Sequence, residues 1–536
     1  TQLMKKNNLK ESILPHQQCS KSFNTNFNSV EDLFLSKYKI KKNKKFIFFP
    51  EEDIEYTYDE FFHEYKKISK LLIKKGFKKK DKISIIFYNE SAFLKVYFAA
   101  LSLGMIVIPI NPDLSYDEIN YIVKNSSSKL CIYTDKINFK IKKNNIKFIT
   151  YNKFLKRNDG INFTNKNNIN PNTKITDTAI IIYTSGTTGN PKGVVLSHKN
   201  IIADAFAISK NFKFDSNTRT LCILPMFHNN GQIITFFAPL YNGGSTVIST
   251  GKANLYNFWN YISKYKVTWT SIMASILSIL LSINKKKLNT SLKGIICGGQ
   301  VLNDEVRLNF EKRFKIHIFE GYGLTETTAY ACLNRYPHGK RVRGSIGKAL
   351  DVNDMAIFNP NNFKKMKTGQ EGEICIKGYN VAKHYHNLKK QNKKSFFKGW
   401  FRSGDYGKVD SKGNFYFSGR KDSLIIKGGE NIYPAEIENA LYKIKDVQEC
   451  AVIGIPDKNL GENICAFIKT DNKKKSSNDF YVNLNKFLGS YKLPKEIYLI
   501  SNLKNMKEIP KGPTKKILYR KLKKYYEKEL QNKKKN

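Results

Sequence analysis

The chain has 536 residues, of which 41% are hydrophobic and 13% aromatic, and this excludes a peptide, a disulfide miniprotein and a chain disordered over most of its length. Its 92 Lys+Arg against 45 Asp+Glu give a formal net charge of +47, a field that attracts polyanions at low salt. Most of the basic residues are Lys, spread along the whole length and mixed with Asn as in Lys142-Lys143-Asn144-Asn145, so the excess is compositional and forms no stripe. No specific nucleic-acid partner is expected, and any membrane contact would be peripheral.

Residues 1–29 are polar and patternless, a loose lead-in, and the fold is expected to start near Val30. From Tyr58 to Lys75 apolar residues recur at helical spacing (Phe61, Phe62, Tyr65, Ile68, Leu71, Leu72) until Gly76, and Ile83–Tyr88 reads as a buried strand. A helix over Ser91–Leu103 and a strand over Met105–Ile110 repeat the alternation, which predicts a parallel α/β sheet. Residues 152–177, rich in Asn and Lys, read as an exposed connection. Strand and helix patterns then run from Ala179 to about residue 420. Beyond lies a smaller unit: a helix from Pro434, strands at Cys450–Ile455 and Asn463–Lys469, a polar loop over Asp471–Ser477, then helix and strand again. The expected fold class is therefore α/β, with a large N-terminal domain of mixed sheets and helices over 30–421, a small mobile α+β lid over 422–530 and a basic tail over 531–536.

The eight cysteines contain no CxxC pair, and several sit inside apolar runs such as Ile374-Cys375-Ile376, which points to a reducing compartment, hence the cytoplasm. The best apolar stretch, Ile272–Ile283, is shorter than the ~20 residues of a membrane helix and is broken by serines.

The densest chemistry follows the apolar run Ala179–Ile182: Tyr183-Thr184-Ser185-Gly186-Thr187-Thr188-Gly189-Asn190-Pro191-Lys192-Gly193. Its glycines leave backbone N–H groups free to curl around an anion, the hydroxyls of Thr184, Ser185, Thr187 and Thr188 add donors, and Lys192 supplies a mobile charge. It is a phosphate cradle or a flexible surface turn. The Walker spacing fails, because Pro191 stands where that motif needs Gly. Further on, Glu320-Gly321-Tyr322-Gly323-Leu324-Thr325-Glu326 offers a ring able to stack on a purine (Tyr322), a phosphate donor (Thr325) and a hard oxygen ligand for Mg²⁺ (Glu326). Asp405, in Gly399-Trp400-Phe401-Arg402-Ser403-Gly404-Asp405, accepts only and suits the two hydroxyls of a ribose. Arg is rare here against Lys, so Arg420, and likewise Arg402, suggest a need for the planar fork.

These strings, with Gly419-Arg420-Lys421-Asp422, Lys427-Gly428-Gly429-Glu430-Asn431 and Ile509-Pro510-Lys511-Gly512-Pro513-Thr514-Lys515-Lys516, occur in the same order as the motifs of the AMP-forming adenylate ligases, the superfamily of acyl-CoA synthetases, luciferases and adenylation domains. The chain resembles that family from about residue 30 to 525, and within it the fatty-acyl and 4-coumarate-type CoA ligases. The resemblance implies ATP, Mg²⁺ and CoA as cofactors. It implies an adenine site at Gly298, Gly299 and Gln300, ribose at Asp405, phosphates on the loop 184–189 with Thr187 and Lys192 catalytic, and metal at Glu326. It further implies a catalytic Lys516 brought by the lid, a hinge at Asp422, and an approach of Gly428 and Gly429 to the pantetheine arm. Lys515 departs from the family, where glycine is usual. In Pro225-Met226-Phe227-His228 the resemblance places His228 beside the carboxylate and thiol path, where amino-acid-activating relatives carry Asp. The expected reaction is conversion of a fatty or arylalkanoic acid to acyl-AMP and then acyl-CoA. An acyl-AMP ligase loading a separate carrier protein, with no carrier domain fused after Lys516, is one alternative. A non-catalytic basic binding protein that keeps the fold is the other. Ile233–Leu240 and Trp269–Leu281 are either walls of an acid tunnel or plain core.

Overall fold

Thr57 ends an extended segment and opens the helix Tyr58–Lys74: its hydroxyl accepts from Glu60 N (3.1 Å) while the Glu60 carboxylate accepts from Thr57 N (2.7 Å). The apolar stripe Phe61, Tyr65, Ile68, Leu71 and Leu72 is buried as its spacing predicts, and Gly76 turns the chain away at φ +84°. Ser91–Ser102 follows a different rule. Every residue of that helix is buried, because it lies inside the core and not on its surface.

The computed structural model describes residues 14–137, 146–156, 171–184, 191–250, 255–283, 290–299, 302–428, 430–512 and 517–531. They form two large sheets and two smaller ones. A seven-stranded sheet runs His384–Tyr385, Lys192–Ser197, Thr178–Thr184, Ile106–Ile110, Lys82–Ile86, Leu130–Tyr133, Lys147–Thr150. Its last four strands pair in parallel as the helix–strand alternation predicts. A nine-stranded sheet contains the neighbouring parallel strands Arg219–Cys222, Trp269–Ile272, Gly294–Cys297 and Ile318–Tyr322. One continuous core takes Ile47 and Phe49 from the second sheet, Ile83 and Val107 from the first, and the buried helices Ser91–Ser102 and His198–Phe212. A five-stranded antiparallel sheet built on Gly372–Gly378 and Trp400–Val409 completes the large domain. The C-terminal domain is α+β: the hairpin Glu449–Asp457 and Gly461–Lys469 carries Glu496–Leu499 in parallel, with the helix Pro434–Tyr442 against it. The helix from Pro434 and the strands expected at Cys450–Ile455 and Asn463–Lys469 lie within two residues of those bounds, whereas the strands Ile425–Lys427 and Glu430–Ile432 were not foreseen.

Two expectations need correction. Residues 14–29 are not a loose lead-in. His16 Nε2 donates to Ala382 O (2.9 Å), Gln17 Nε2 to Val381 O (2.8 Å), and Phe23 enters the core. Ser20 N and Oγ both donate to the Asp354 carboxylate, at 2.6 and 2.5 Å. Within the connection expected over 152–177, Tyr151–Lys156 is a helix that buries Phe154.

His198 is fully buried, and Val30 N donates to its Nδ1 (3.1 Å), which places the ring proton on Nε2. Burial pushes its pKa down to about 4. Between that value and the ordinary 6.5 the unfolded chain binds a proton that the folded chain refuses, so stability falls as pH drops through this window. His198→Gln should remove that part of the slope. Chemical denaturation at pH 7 and 4.5 is expected to give a loss on acidification about 2 kcal/mol smaller in the variant. Equal losses would show that His198 does not titrate on unfolding.

Candidate active site

The C-terminal ends of adjacent parallel strands leave backbone groups and loops facing one crevice, which is where α/β sheets bind ligands. Three loops expected to be functional start there: Pro225–His228 after Arg219–Cys222, Gly298–Gly299 after Gly294–Cys297, and Gly323–Glu326 after Ile318–Tyr322. They touch. Asn229 Nδ2 donates to Thr325 O (3.4 Å) and to Thr328 O, tying the His228 segment to the Thr325–Glu326 turn. A side chain at Gly298 would stand 2.5 Å from the Tyr330 hydroxyl and 2.8 Å from Gly321 O. At Gly323 it would overlap Ala329 O at 1.7 Å. The glycines therefore allow backbone to lie on backbone at the end of the sheet.

The other side of the crevice comes from the seven-stranded sheet. Thr184 and Lys192 are register partners on antiparallel strands, so both flanks of the Gly/Ser/Thr loop are held by the sheet. Lys192 Nζ lies over the Tyr385 ring, 5.5 Å from its centroid, and the Tyr385 hydroxyl donates to Glu326 Oε1 (2.6 Å). Ser185, Gly186, Thr187, Thr188, Gly189, Gln300, Gly429 and Lys516 lie outside the described residues, as does the side chain of Asp422. Gly428 takes φ +59° in the turn joining Ile425–Lys427 to Glu430–Ile432.

Asp405 closes the third side. It is buried on the strand Trp400–Val409. Its Oδ2 accepts from the Tyr322 hydroxyl (2.6 Å) and its Oδ1 from Arg420 Nε (2.9 Å), Asp405 and Arg420 being register partners on neighbouring strands. The Asp405 charge holds the Arg420 guanidinium still further above its ordinary pKa. Each carboxylate oxygen keeps a further lone pair for a ligand hydroxyl. Arg402, read in the same way as Arg420, does something else: its Nε donates to Glu373 Oε2 (2.8 Å) and its Nη2 to Pro360 O (3.1 Å), which pins the five-stranded sheet. His228 is half-buried with its ring against Phe227, 4.7 Å between centroids. Ile233, Ile234, Phe236 and Phe237, and likewise Trp269, Ile272 and Leu277, are packed core.

Four residues that hold the site escaped the sequence reading. Asn229 and Tyr385 are two. Asp204, fully buried, accepts from Ala329 N (2.9 Å), Tyr330 N (3.1 Å) and Asn380 Nδ2 (3.1 Å), clamping the chain just after the Thr325–Glu326 turn. Burial pushes its pKa up to about 8 against the pull of those donors. Asn380 also donates to Tyr330 O (2.8 Å) and accepts at its own carbonyl from Thr328 Oγ1 (2.6 Å). Among the described residues no group of three or more His, Cys, Asp or Glu could cage a metal ion. Glu326, half-buried with one oxygen bonded to the Tyr385 hydroxyl, suits a cation that takes one protein ligand and completes its shell with phosphate oxygens and water, the habit of Mg²⁺.

The chain belongs to the AMP-binding enzyme family: residues 37–386 match the AMP-binding enzyme domain and residues 436–508 the AMP-binding enzyme C-terminal domain. Curated relatives include the sulfoacetate–CoA ligase of Cupriavidus necator, 35% identical over 63% of this chain and 65% of that protein, slightly under two thirds of its length. The 2-succinylbenzoate–CoA ligase of Oceanobacillus iheyensis is 30% identical over 87% of this chain and 94% of that protein. Among solved structures, the o-succinylbenzoate CoA synthetase of Bacillus subtilis in complex with its acyl-adenylate intermediate superposes with a TM-score of 0.83, at 26% identity and over 92% of this chain and 97% of that one. No helix among the described residues is long and apolar enough to cross a membrane.

Proposed function

We propose that this chain is an AMP-forming acid–CoA ligase acting on a fatty or arylalkanoic acid in the cytoplasm. The observation that carries the reading is the convergence of Lys192, Glu326 and the Asp405–Arg420 pair around one crevice, in a family member whose similar relatives are named as CoA ligases of non-amino acids. A carboxylate cannot expel oxide. An oxygen of the acid attacks the α-phosphorus of ATP, the bond to the β-phosphate oxygen breaks, and pyrophosphate leaves with acyl-AMP behind. Lys192 and Lys516 offset the charge that builds during this step, Thr184–Thr188 donate to phosphate oxygens, and Asp405 accepts from the ribose. Glu326 would hold Mg²⁺, which when bound would supply charge neutralisation on the phosphates. The sulfur of CoA then attacks the acyl carbon, AMP departs, and the thiol proton passes to solvent or to a neighbouring base, a role we assign to His228. His228 in place of the Asp of amino-acid-activating relatives favours an acid without an α-amino group. The eight cysteines are all free and seven are buried, in keeping with a reducing compartment.

Pyrophosphate release across a panel of carboxylic acids, with and without CoA, tests the reading. A fatty or arylalkanoic acid is expected to support one turnover alone and sustained AMP release with CoA. Sustained turnover only with an added carrier protein would make the chain an acyl-AMP ligase. No acyl-AMP from any acid would leave a basic binding protein with an inherited fold.

A further inference from the structure

We propose that Tyr385 is a positioning residue for the Glu326 carboxylate and that the segment 14–29 braces it. This rests on the reading of Glu326 as the Mg²⁺ ligand. Glu326 is gripped twice by one short stretch of chain: its backbone carbonyl accepts from Ala382 N (2.7 Å), and its Oε1 accepts from the Tyr385 hydroxyl (2.6 Å). A carboxylate that has given one oxygen to a rigid phenol can no longer rotate freely, and its second oxygen points to a fixed place. The same ring carries Lys192 over its face at 5.5 Å. A single buried side chain therefore touches both the phosphate-loop cation and the metal-binding anion.

Tyr385 is itself over-determined. Its N donates to Asn392 Oδ1 (2.7 Å), its carbonyl accepts from Asn392 Nδ2 (2.9 Å), and it pairs with Val194 on the strand that begins at Lys192. Phe396 packs between it and the N-terminal segment, 5.7 Å from the Tyr385 ring and 4.4 Å from the His16 ring. His16 and Gln17 donate to the carbonyls of Ala382 and Val381, the same stretch that grips Glu326. A purely structural tyrosine would serve the packing through its ring and would not need the hydroxyl.

Tyr385→Phe keeps the ring, the Lys192 contact and the Phe396 packing, and removes the hydroxyl that bonds Glu326 and also meets the Ser395 side chain. The readout is the factor by which saturating Mg²⁺ tightens binding of α,β-methylene-ATP over its binding in EDTA, measured by calorimetry without turnover. That factor is expected to fall about tenfold in Tyr385→Phe, with the EDTA affinity and the melting temperature unchanged. Asn392→Ala, which removes both bonds to the Tyr385 backbone without touching Glu326, should move it in the same direction. Glu326→Gln should lower it at least as far, and Tyr385→Phe added to Glu326→Gln should lower it no further. An unchanged factor in Tyr385→Phe beside a reduced one in Glu326→Gln overturns the role of Tyr385 alone. An unchanged factor in Glu326→Gln overturns the metal assignment and the inference together.

Discussion

Asp405→Asn is expected to lower acyl-AMP formation about 100-fold, chiefly by raising KM for ATP, while costing little stability. The carboxylate accepts from two protein donors at once, the Tyr322 hydroxyl on Oδ2 and Arg420 Nε on Oδ1. An amide has one acceptor oxygen. Arg420 cannot accept, so the Asn oxygen must face it, and the new NH₂ group then faces the Tyr322 hydroxyl, which has to turn its proton elsewhere. The ribose loses a charged acceptor for its hydroxyls. Hydrogen bonds to a charged group are worth about 1.5–3 kcal/mol each, and weakening two at the upper end of that range by roughly half amounts to about 3 kcal/mol, or about 100-fold. The ion pair itself is worth less than its burial suggests, because the Arg420 side chain is 62% exposed against 4% for Asp405. Pyrophosphate exchange at varied ATP, with a melting curve on the same sample, reads both quantities. Exchange within threefold of the parent protein would move the ribose away from Asp405.

What the sequence made legible is what is local. The helix over Tyr58–Lys74 announces itself through the spacing from Phe61 to Leu72 and the glycine that follows, and the parallel strands through short apolar runs between helices. The string Gly321–Glu326 was readable because its chemistry sits within a few consecutive residues, Pro225–His228 only through its resemblance to a family motif, and the sheet then explains why strings about 100 residues apart meet at one edge. The residues that hold them could not be found in this way. His16 bonds a carbonyl 366 residues away, and nothing in the polar text around it shows that Phe23 is buried. Tyr385 lies between His384 and His386 on a two-residue strand with no periodicity to read. Asp204 did leave a signal, a lone acid in the apolar run Ile201–Ile208 of a helix buried on nearly every side, and such an acid must find donors or remain protonated. Arg402 gave the opposite error: rarity of Arg marked it as functional, yet the planar fork is needed equally by a structural pair with Glu373.

Gly323→Ala is the substitution for which the geometry leaves no room. Its added methyl carbon would stand 1.7 Å from Ala329 O, with the carbonyl carbon and Tyr330 Cα both at 2.7 Å, and all three are backbone atoms that no rotamer change can clear. The Ala329–Tyr330 backbone cannot retreat either, because Asp204 holds both N–H groups and Asn380 holds Tyr330 O. The strain must therefore move Gly323 and the turn Thr325–Thr327 that follows it, carrying Glu326 away from Tyr385. A shift of about 1 Å at a catalytic group costs on the order of 100-fold in rate, and a backbone clash of this kind lowers stability by about 1–3 kcal/mol. Pyrophosphate exchange is expected to fall by that factor with the melting temperature down a few degrees. Asp204→Ala in the same background separates the causes: freeing the Ala329–Tyr330 backbone should restore part of the lost exchange although it destabilises the fold further. If the double variant is no more active than Gly323→Ala alone, the clash is relieved somewhere other than at the clamp.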